Sequence, residues 1–127
     1  MSGTAGAVKL RRMSERPIYH VCKAEEWEAA RRAGRYPGSS QDRADGFIHF
    51  SDASQVVASV AKHRAGQDSL IILEVDSAVL GSALRWEVSR GGALFPHLHA
   101  DLPLTAVKRF AALPLGADGR HVFPWGL

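Results

Sequence analysis

The chain has 127 residues, a formal net charge of +3 and 46% apolar residues. This length is typical of one domain, which buries enough surface to fold without a disulfide or a metal. The longest aliphatic run, residues 70–73, is much shorter than the ~20 residues of a membrane helix, so no membrane partner is expected. The single cysteine excludes an intrachain disulfide and a CxxC pair, and a cytoplasmic protein is predicted.

The basic excess lies ahead of the predicted domain. Lys9, Arg11 and Arg12 account for three of the sixteen basic residues, and no acidic residue accompanies them in the first twelve positions. The rest of the chain has thirteen basic and thirteen acidic residues, so nothing indicates a nucleic-acid surface. We predict a flexible basic tail over residues 1–16, with Met13 as a candidate start, and one domain over residues 17–127.

The first half of the domain is predicted to alternate strands and helices. Strand formers follow Pro17 at residues 18–22. Residues 25–33 begin with acidic and end with basic side chains, and a glycine follows them, which is typical of a helix. Residues 35–45 are rich in Gly, Ser, Pro and Asp and predict a loop, and residues 46–50 predict a second strand.

A second helix is predicted after residue 50, capped by Ser51 or Asp52, because Asp52 and Gln55 have the spacing of a capping box. Its apolar stripe is Val56, Val57, Val60 and Ala61.

The second half of the domain is predicted to contain only strands. Residues 70–75 are the most apolar segment and predict the central strand, and residues 84–88 alternate as in a half-buried strand. Residues 90–103 predict a long loop, and residues 107–113 predict the last strand. This order predicts an α+β domain with a small, mainly antiparallel sheet and two helices in its N-terminal half.

Three of the six histidines lie among apolar and aromatic residues. Imidazole titrates near neutrality and can donate, accept or bind a metal, so His20, His49 and His97 are the candidate catalytic residues. Strand alternation puts His49 on one face with Phe47 and Ser51, while the apolar side chains between them point to the core. We predict that the three histidines line one cleft. The alternative for each is a purely structural role.

Charged and thiol side chains offer further candidates. Arg85 and Arg90 flank Glu87 and can clamp a phosphate bidentately, while a cross-strand ion pair is the alternative. Cys22 shares a strand face with His20, which indicates either a Cys-His nucleophile or a buried packing residue.

Three segments resemble a known bacterial family. They are Ile-Tyr-His at residues 18–20, Asp-Gly-Phe-Ile-His-Phe-Ser at residues 45–51 and Gly-Gly-Ala-Leu-Phe-Pro-His-Leu at residues 91–98. On these segments the chain resembles the family called domain of unknown function 952, over about residues 17–124.

The chain also resembles, more distantly, the ADP-ribosyltransferase fold, including the NAD-dependent RNA 2′-phosphotransferases. The likeness rests on the Tyr19-His20 pair, the segment 48–52 and the position of His97. It implies a split sheet with NAD in the cleft, a hydrogen bond from His20 to the nicotinamide ribose, and contacts near His49 and Ser51. The glutamate usual at the third position is missing, and Glu87 is its candidate substitute.

The resemblance implies an NAD-dependent transferase acting on a nucleotide. Two alternatives remain open, namely a metal-binding, hydrolase-like module and a non-catalytic domain that binds a small ligand or a protein. Only His97 and His99 have the close spacing usual for zinc ligands, so no metal is expected. The sequence does not indicate the oligomeric state. The residues predicted to bind the cofactor are Tyr19, His20, Ser51, Arg85 and Glu87.

Overall fold

The computed structural model describes residues 16–127, so the predicted basic tail lies outside the described residues except for Arg16. The helices are α1 (Ala24–Ala33), α2 (Ser40–Asp45) and α3 (Val56–His63). The strands are β1 (Pro17–Lys23), β2 (Arg35–Tyr36), β3 (Ile48–His49), β4 (Ser51–Asp52), β5 (Leu70–Asp76), β6 (Leu84–Val88), β7 (Leu94–Leu98), β8 (Leu102–Pro103) and β9 (Val107–Ala112). Short 3₁₀ segments cover Ser77–Ala83, Arg90–Gly92 and Leu104–Ala106.

The strands form three antiparallel sheets. The largest has the order β4-β1-β5-β9, a second has the order β3-β7-β6, and β2 pairs with β8. The prediction of an α+β domain with mainly antiparallel sheets is confirmed, and β5 is an interior strand, as predicted. The α-helices of residues 16–127 all lie in the N-terminal half, but there are three of them and not two. None of these helices is long and apolar enough to cross a membrane.

The predicted helix after the first strand is confirmed as α1. Glu25 and Glu26 lie in its first turn, and Gly34 ends it with a φ of 84° while its N–H donates to the Ala30 carbonyl. Carboxylates at the positive end of the helix dipole and a left-handed glycine at the other end both stabilise it.

The loop predicted at residues 35–45 is wrong, because the segment contains β2 and α2. Ser39 and Asp42 form a reciprocal capping box: the Asp42 N–H donates to Ser39 Oγ at 3.2 Å, and the Ser39 N–H donates to Asp42 Oδ2 at 2.8 Å. This pair satisfies backbone groups that a short helix leaves open, so α2 forms in a segment with loop-like composition.

The loop predicted at residues 90–103 is also wrong, because it contains β7 and β8. Pro96 lies inside β7, which pairs with a strand on each side. Its carbonyl accepts from the Phe50 N–H at 3.0 Å, at the interruption between β3 and β4. In an antiparallel ladder the N–H and the C=O of one residue point to the same neighbouring strand. The N–H that Pro96 lacks would therefore point to the interruption between β3 and β4.

The second helix begins later than predicted, since Ser51 and Asp52 belong to β4. Half of the predicted capping box exists, because Gln55 Oε1 accepts from the Asp52 N–H at 3.0 Å. The Asp52 carboxylate instead accepts from Ser54. Some predicted apolar faces are also too wide, as Ala33, Val57, Ala61 and Val88 are exposed.

The hydrophobic core has two parts, one on each face of the largest sheet. Side chains alternate along β1, so Ile18 and Cys22 pack on one face and Tyr19 packs on the other. The first part includes Trp27 and Leu73, and the second includes Val56, Val60, Ile72 and Leu113.

We expect Gly38→Ala to destabilise the fold more than Gly34→Ala. Both glycines have positive φ, so each alanine costs about 1–2 kcal/mol of backbone strain. A Cβ at Gly38 would also lie 2.8 Å from the Asp42 Cβ, whereas a Cβ at Gly34 meets nothing within 4 Å. Displacing Asp42 adds about 1–3 kcal/mol. Urea unfolding of both variants measures the difference, and equal losses would contradict a close contact between Gly38 and α2.

Candidate functional site

A cleft of about 850 Å³ opens beside β1, between α2 and α3. Strand β4 pairs with β1 only at Ile18 and Tyr19, so the second half of that edge of β1 has no strand beside it. Arg64 instead donates from Nη2 to the Val21 carbonyl at 3.1 Å. Four of the residues predicted for the site line this cleft, namely His20, Ser51, His49 and His97.

Three predicted site residues form one row across β3, β7 and β6. His49 lies opposite His97, and His97 lies opposite Arg85. Directly opposite residues of antiparallel strands project from the same face of the sheet. The ring centroids of His49 and His97 are 5.5 Å apart. Histidines 48 positions apart in the sequence are therefore neighbours in the fold.

Phe47 packs against both imidazoles of this pair. Its ring centroid lies 4.2 Å from that of His97 in a stacked arrangement and 4.5 Å from that of His49. The sequence analysis placed Phe47 on the same face as His49 but did not include it in the site. Its stacking restricts the orientation of the His97 ring.

Asp42 fixes the orientation of His49. Its Oδ1 accepts from the His49 Nδ1–H at 2.7 Å and from the His49 backbone N–H at 3.1 Å. Burial alone would raise the pKa of Asp42, but the hydrogen bonds from His49 and Ser39 lower it to about 2. Asp42 is therefore a buried, charged acceptor that the sequence analysis missed. The Ser39–Asp42 capping-box spacing was the signal that could have identified it.

The second nitrogen of His49 contacts another carboxylate. His49 Nε2 lies 3.1 Å from Asp45 Oδ2, and both side chains are 39% exposed. Because a carboxylate only accepts hydrogen bonds, this contact is an ion pair when the ring is protonated on both nitrogens. Nε2 of His49 lies at the cleft, with the partly exposed Asp45 side chain beside it.

His20 has both ring nitrogens occupied inside the protein. Its Nδ1 lies 2.6 Å from the His49 carbonyl, which can only accept, so Nδ1 carries the proton. Burial lowers the pKa of His20, so the ring is neutral and Nε2 accepts from the Tyr36 hydroxyl at 2.7 Å. Asp42 Oδ2 is 3.5 Å from the same Nε2, where two acceptors face each other and form no salt bridge.

His97 is held by Glu87. Its Nδ1 lies 2.9 Å from Glu87 Oε1, and His99 Nε2 lies 2.8 Å from the same oxygen. Burial lowers the pKa of His97, although the hydrogen bond to Glu87 opposes this effect. The hydrogen bonds from both histidines lower the pKa of Glu87. A neutral His97 that donates from Nδ1 has its lone pair on Nε2.

Tyr19 does not face the cleft. It lies on the opposite face of β1 from His20, because successive side chains of a strand alternate. Its hydroxyl donates to Glu74 Oε2 at 2.8 Å, and Arg109 donates to both oxygens of Glu74. Burial, followed by the Glu74 carboxylate, raises the pKa of Tyr19 to about 12. Tyr19 was predicted to bind the cofactor together with His20, and its position on the opposite face of β1 corrects this prediction.

The side chain of Arg85 is accessible to a ligand, whereas the thiol of Cys22 is not. Arg85 is exposed and makes no ion pair or hydrogen bond with its side chain among the described residues. The alternative of a cross-strand ion pair is therefore not formed by Arg85, and Glu87, on the same strand, contacts the two histidines. Cys22 is buried, and burial raises the pKa of its thiol to about 12, which leaves no thiolate to act as a nucleophile.

Within residues 16–127, no group of three or more His, Cys, Asp or Glu side chains has an arrangement that could hold a metal ion.

The chain matches the family described as "Protein of unknown function (DUF952)" over residues 21–110. It is similar to the crystal structure of protein CC0527 from Caulobacter crescentus, with 46% identity and a TM-score of 0.80 over 84% of this chain and 93% of that one. A double mutant of CC0527 gives 45% identity and a TM-score of 0.80 over the same shares of the two chains. The solution NMR structure of CC0527 gives 46% identity and a TM-score of 0.75 over 85% of this chain and 91% of that one. No curated protein matches the chain.

The lowered pKa values of His20 and Asp42 predict that acid destabilises the fold in two stages. His20 stays neutral when folded, so its contribution is complete above its unfolded pKa of 6.5 and is lost as the pH falls below that value. The contribution of the Asp42 carboxylate is lost later, as the pH falls from 3.8 toward about 2. Each proton taken up on unfolding costs about 1.4 kcal/mol of stability per pH unit.

We therefore expect His20→Gln to reduce the loss of stability in the first stage. The variant should be about 1–3 kcal/mol less stable than the wild type at pH 7.5, because one internal hydrogen bond is lost. Its free energy of unfolding should then fall less between pH 7.5 and pH 5, as measured by urea titration. His121→Gln, outside the cleft, is the control and should follow the wild type. If His20→Gln and the wild type fall in parallel, His20 is not the group that titrates.

Proposed function

We propose a function for this chain, which belongs to the family of proteins of unknown function DUF952: its cleft binds NAD or a related phosphorylated nucleotide. The observation that carries the proposal is the pair of imidazoles, His49 and His97, with ring centroids 5.5 Å apart. Each ring bonds a carboxylate through Nδ1, which leaves Nε2 for a ligand. Nε2 of His97 has no hydrogen-bond partner among the described residues, and Nε2 of His49 has the partly exposed Asp45 beside it. The cleft volume of about 850 Å³ lies within the usual range of ligand sites.

The phosphates of the nucleotide are assigned to Arg85. It does not line the cleft itself but lies opposite His97, which does, and its guanidinium makes no ion pair among residues 16–127. A planar guanidinium binds phosphate oxygens bidentately, so an uncommitted arginine beside two imidazoles favours an anionic ligand. Ser51 lines the cleft and offers a hydroxyl to the ribose.

The chemistry proposed for the bound nucleotide is ribosyl transfer, as in ADP-ribosyltransferases. Positive charge develops on the nicotinamide ribose as the base leaves, and an acceptor held in place before the reaction stabilises it. The Nε2 lone pair of His97 is this acceptor, while His49 donates from Nε2 to an oxygen of the nucleotide. His20 acts through its hydrogen bond to the His49 carbonyl, and Glu87 acts through His97. His20 and Glu87 are therefore positioning residues in this proposal.

We expect NAD to bind the wild-type protein with a dissociation constant in the millimolar range or below, measured by isothermal titration calorimetry. His49→Gln and His97→Gln should each weaken binding at least about tenfold, because a hydrogen bond to a charged group contributes about 1.5–3 kcal/mol. His121→Gln does not line the cleft and should bind NAD as the wild type does. Absence of NAD binding at millimolar concentration would refute the proposal. Binding of zinc alone, without NAD, would favour a metal-binding module.

Arg85→Gln should weaken NAD binding and reduce its dependence on salt, while nicotinamide riboside, which has no phosphate, should bind the variant and the wild type alike. The reason is that Arg85 is assigned to the phosphates only. Arg35→Gln is the matched control, since Arg35 is an exposed arginine whose Nε lies 3.3 Å from Asp101. Equal losses for the two arginine variants would show a general charge effect and not a phosphate contact.

A further inference from the structure

We propose that the cleft is a hydrolytic site for N-glycosidic bonds, in which His97 takes a proton from water and His49 gives one to the departing base. The inference rests on the proposed nucleotide site. It adds the acceptor, which is water, and the substrate class, which is phosphorylated N-ribosides.

His97 has the surroundings of a general base. Its Nδ1–H donates to Glu87 at 2.9 Å, which leaves the lone pair on Nε2. Nε2 has no hydrogen-bond partner among the described residues, and the ring is held against Phe47 at 4.2 Å. A carboxylate that fixes the tautomer of an imidazole and stabilises its protonated form is the arrangement found in catalytic triads. Burial lowers the pKa of His97, which keeps it neutral at pH 7.

His49 has the surroundings of a general acid. Its two nitrogens lie 2.7 Å from an Asp42 oxygen and 3.1 Å from an Asp45 oxygen, and both partners only accept. Asp42 is buried and fixed by the Ser39 N–H, whereas the Asp45 side chain is 39% exposed at the end of α2. A ligand atom that accepts a hydrogen bond can therefore replace Asp45, and the Nε2–H of His49 then contacts the ligand.

The charged groups around the pair separate the two roles. Glu87 and His99 face His97, while Asp42 and Asp45 face His49, and Arg85 follows in the row on β6. Two carboxylates surround His49, whereas His97 contacts one carboxylate, that of Glu87, which also contacts His99. Neighbouring titratable groups in unlike surroundings are the usual origin of separate acid and base roles.

The step balances with water as the only co-substrate. The water oxygen forms a bond to C1′ of the ribose as the C1′–N bond breaks, and the electron pair of that bond goes to the base nitrogen. His97 Nε2 receives the water proton, and the His49 Nε2–H protonates the departing base when that base is a neutral purine. The products are the free base and either ribose 5-phosphate, from AMP, or ADP-ribose, from NAD. His97 then releases a proton to solvent, and His49 takes one up.

NAD and AMP should depend differently on the two histidines. The nicotinamide of NAD is a cation in the substrate and leaves as a neutral molecule, so it needs no general acid. The adenine of AMP is neutral in the substrate and must be protonated as it leaves. We expect His97→Gln to reduce the hydrolysis of both substrates by about 10²–10⁴, the usual contribution of general acid–base catalysis. His49→Gln should reduce kcat for AMP by a similar factor and leave kcat for NAD unchanged, so that for NAD it raises only KM.

The assay is release of nicotinamide or adenine by the full chain, measured by liquid chromatography with EDTA present. The pH profile of kcat/KM should show an ascending limb for both substrates, as His97 loses its proton. Glu87→Gln should lower kcat and move the ascending limb to lower pH, because the carboxylate that raises the pKa of His97 is gone.

Three results overturn the inference. If calorimetry shows that NAD and AMP bind but neither base is released above the buffer rate, the site binds nucleotides without hydrolysing them, and the proposed function survives. If His49→Gln reduces the turnover of both substrates equally, His49 is not the acid. If neither nucleotide binds, the proposed function fails together with this inference.

Discussion

The buried carboxylate of Asp42 is the group on which the geometry of the site depends. It accepts from the Ser39 N–H, from the His49 backbone N–H and from the His49 ring. Burying a carboxylate costs several kcal/mol, and these hydrogen bonds offset that cost only while α2 and β3 keep their relative position. The same charge therefore stabilises a helix of six residues and fixes the orientation of an imidazole at the surface of the cleft.

Strand β3 has only two residues, and polar contacts add to its pairing with β7. The backbone N–H of His49 donates to Asp42, and its carbonyl accepts from His20. Ile48 and Phe50, on either side of His49, are buried in the core. One residue thus has its backbone held by two internal groups while its side chain reaches the cleft. This arrangement combines a rigid backbone with an accessible imidazole, which a short strand with ladder hydrogen bonds alone would not provide.

The sequence predicted those features that depend on local patterns. Helix α1, the interior strand β5 and the alternation that turns His49 away from Ile48 and Phe50 are all present in the structure. The errors have two causes: helix α2 depends on the local Ser39–Asp42 capping box, which was not recognised, and strand β7 depends on distant contacts that override local composition. Pro96 and the glycines before it indicate a loop, but β7 pairs with β3 and β6 on either side and forms a strand. The pairing of His99 with Glu87 likewise depends on a register between strands that no local pattern encodes.

The three histidines that the sequence grouped together differ in what surrounds them, and this difference separates their roles. A direct contact between His20 and a ligand would replace its partner, either the Tyr36 hydroxyl or the His49 carbonyl. Each such group, left buried and unsatisfied, costs about 1–3 kcal/mol, and loss of the contact with the carbonyl would also release β3. His49 and His97 carry no such cost, because each keeps its carboxylate at Nδ1. A ligand at Nε2 of His97 displaces no hydrogen bond among the described residues, and one at Nε2 of His49 displaces only the partly exposed Asp45. Ligand contact is therefore assigned to His49 and His97, and His20 holds the strand from which His49 projects.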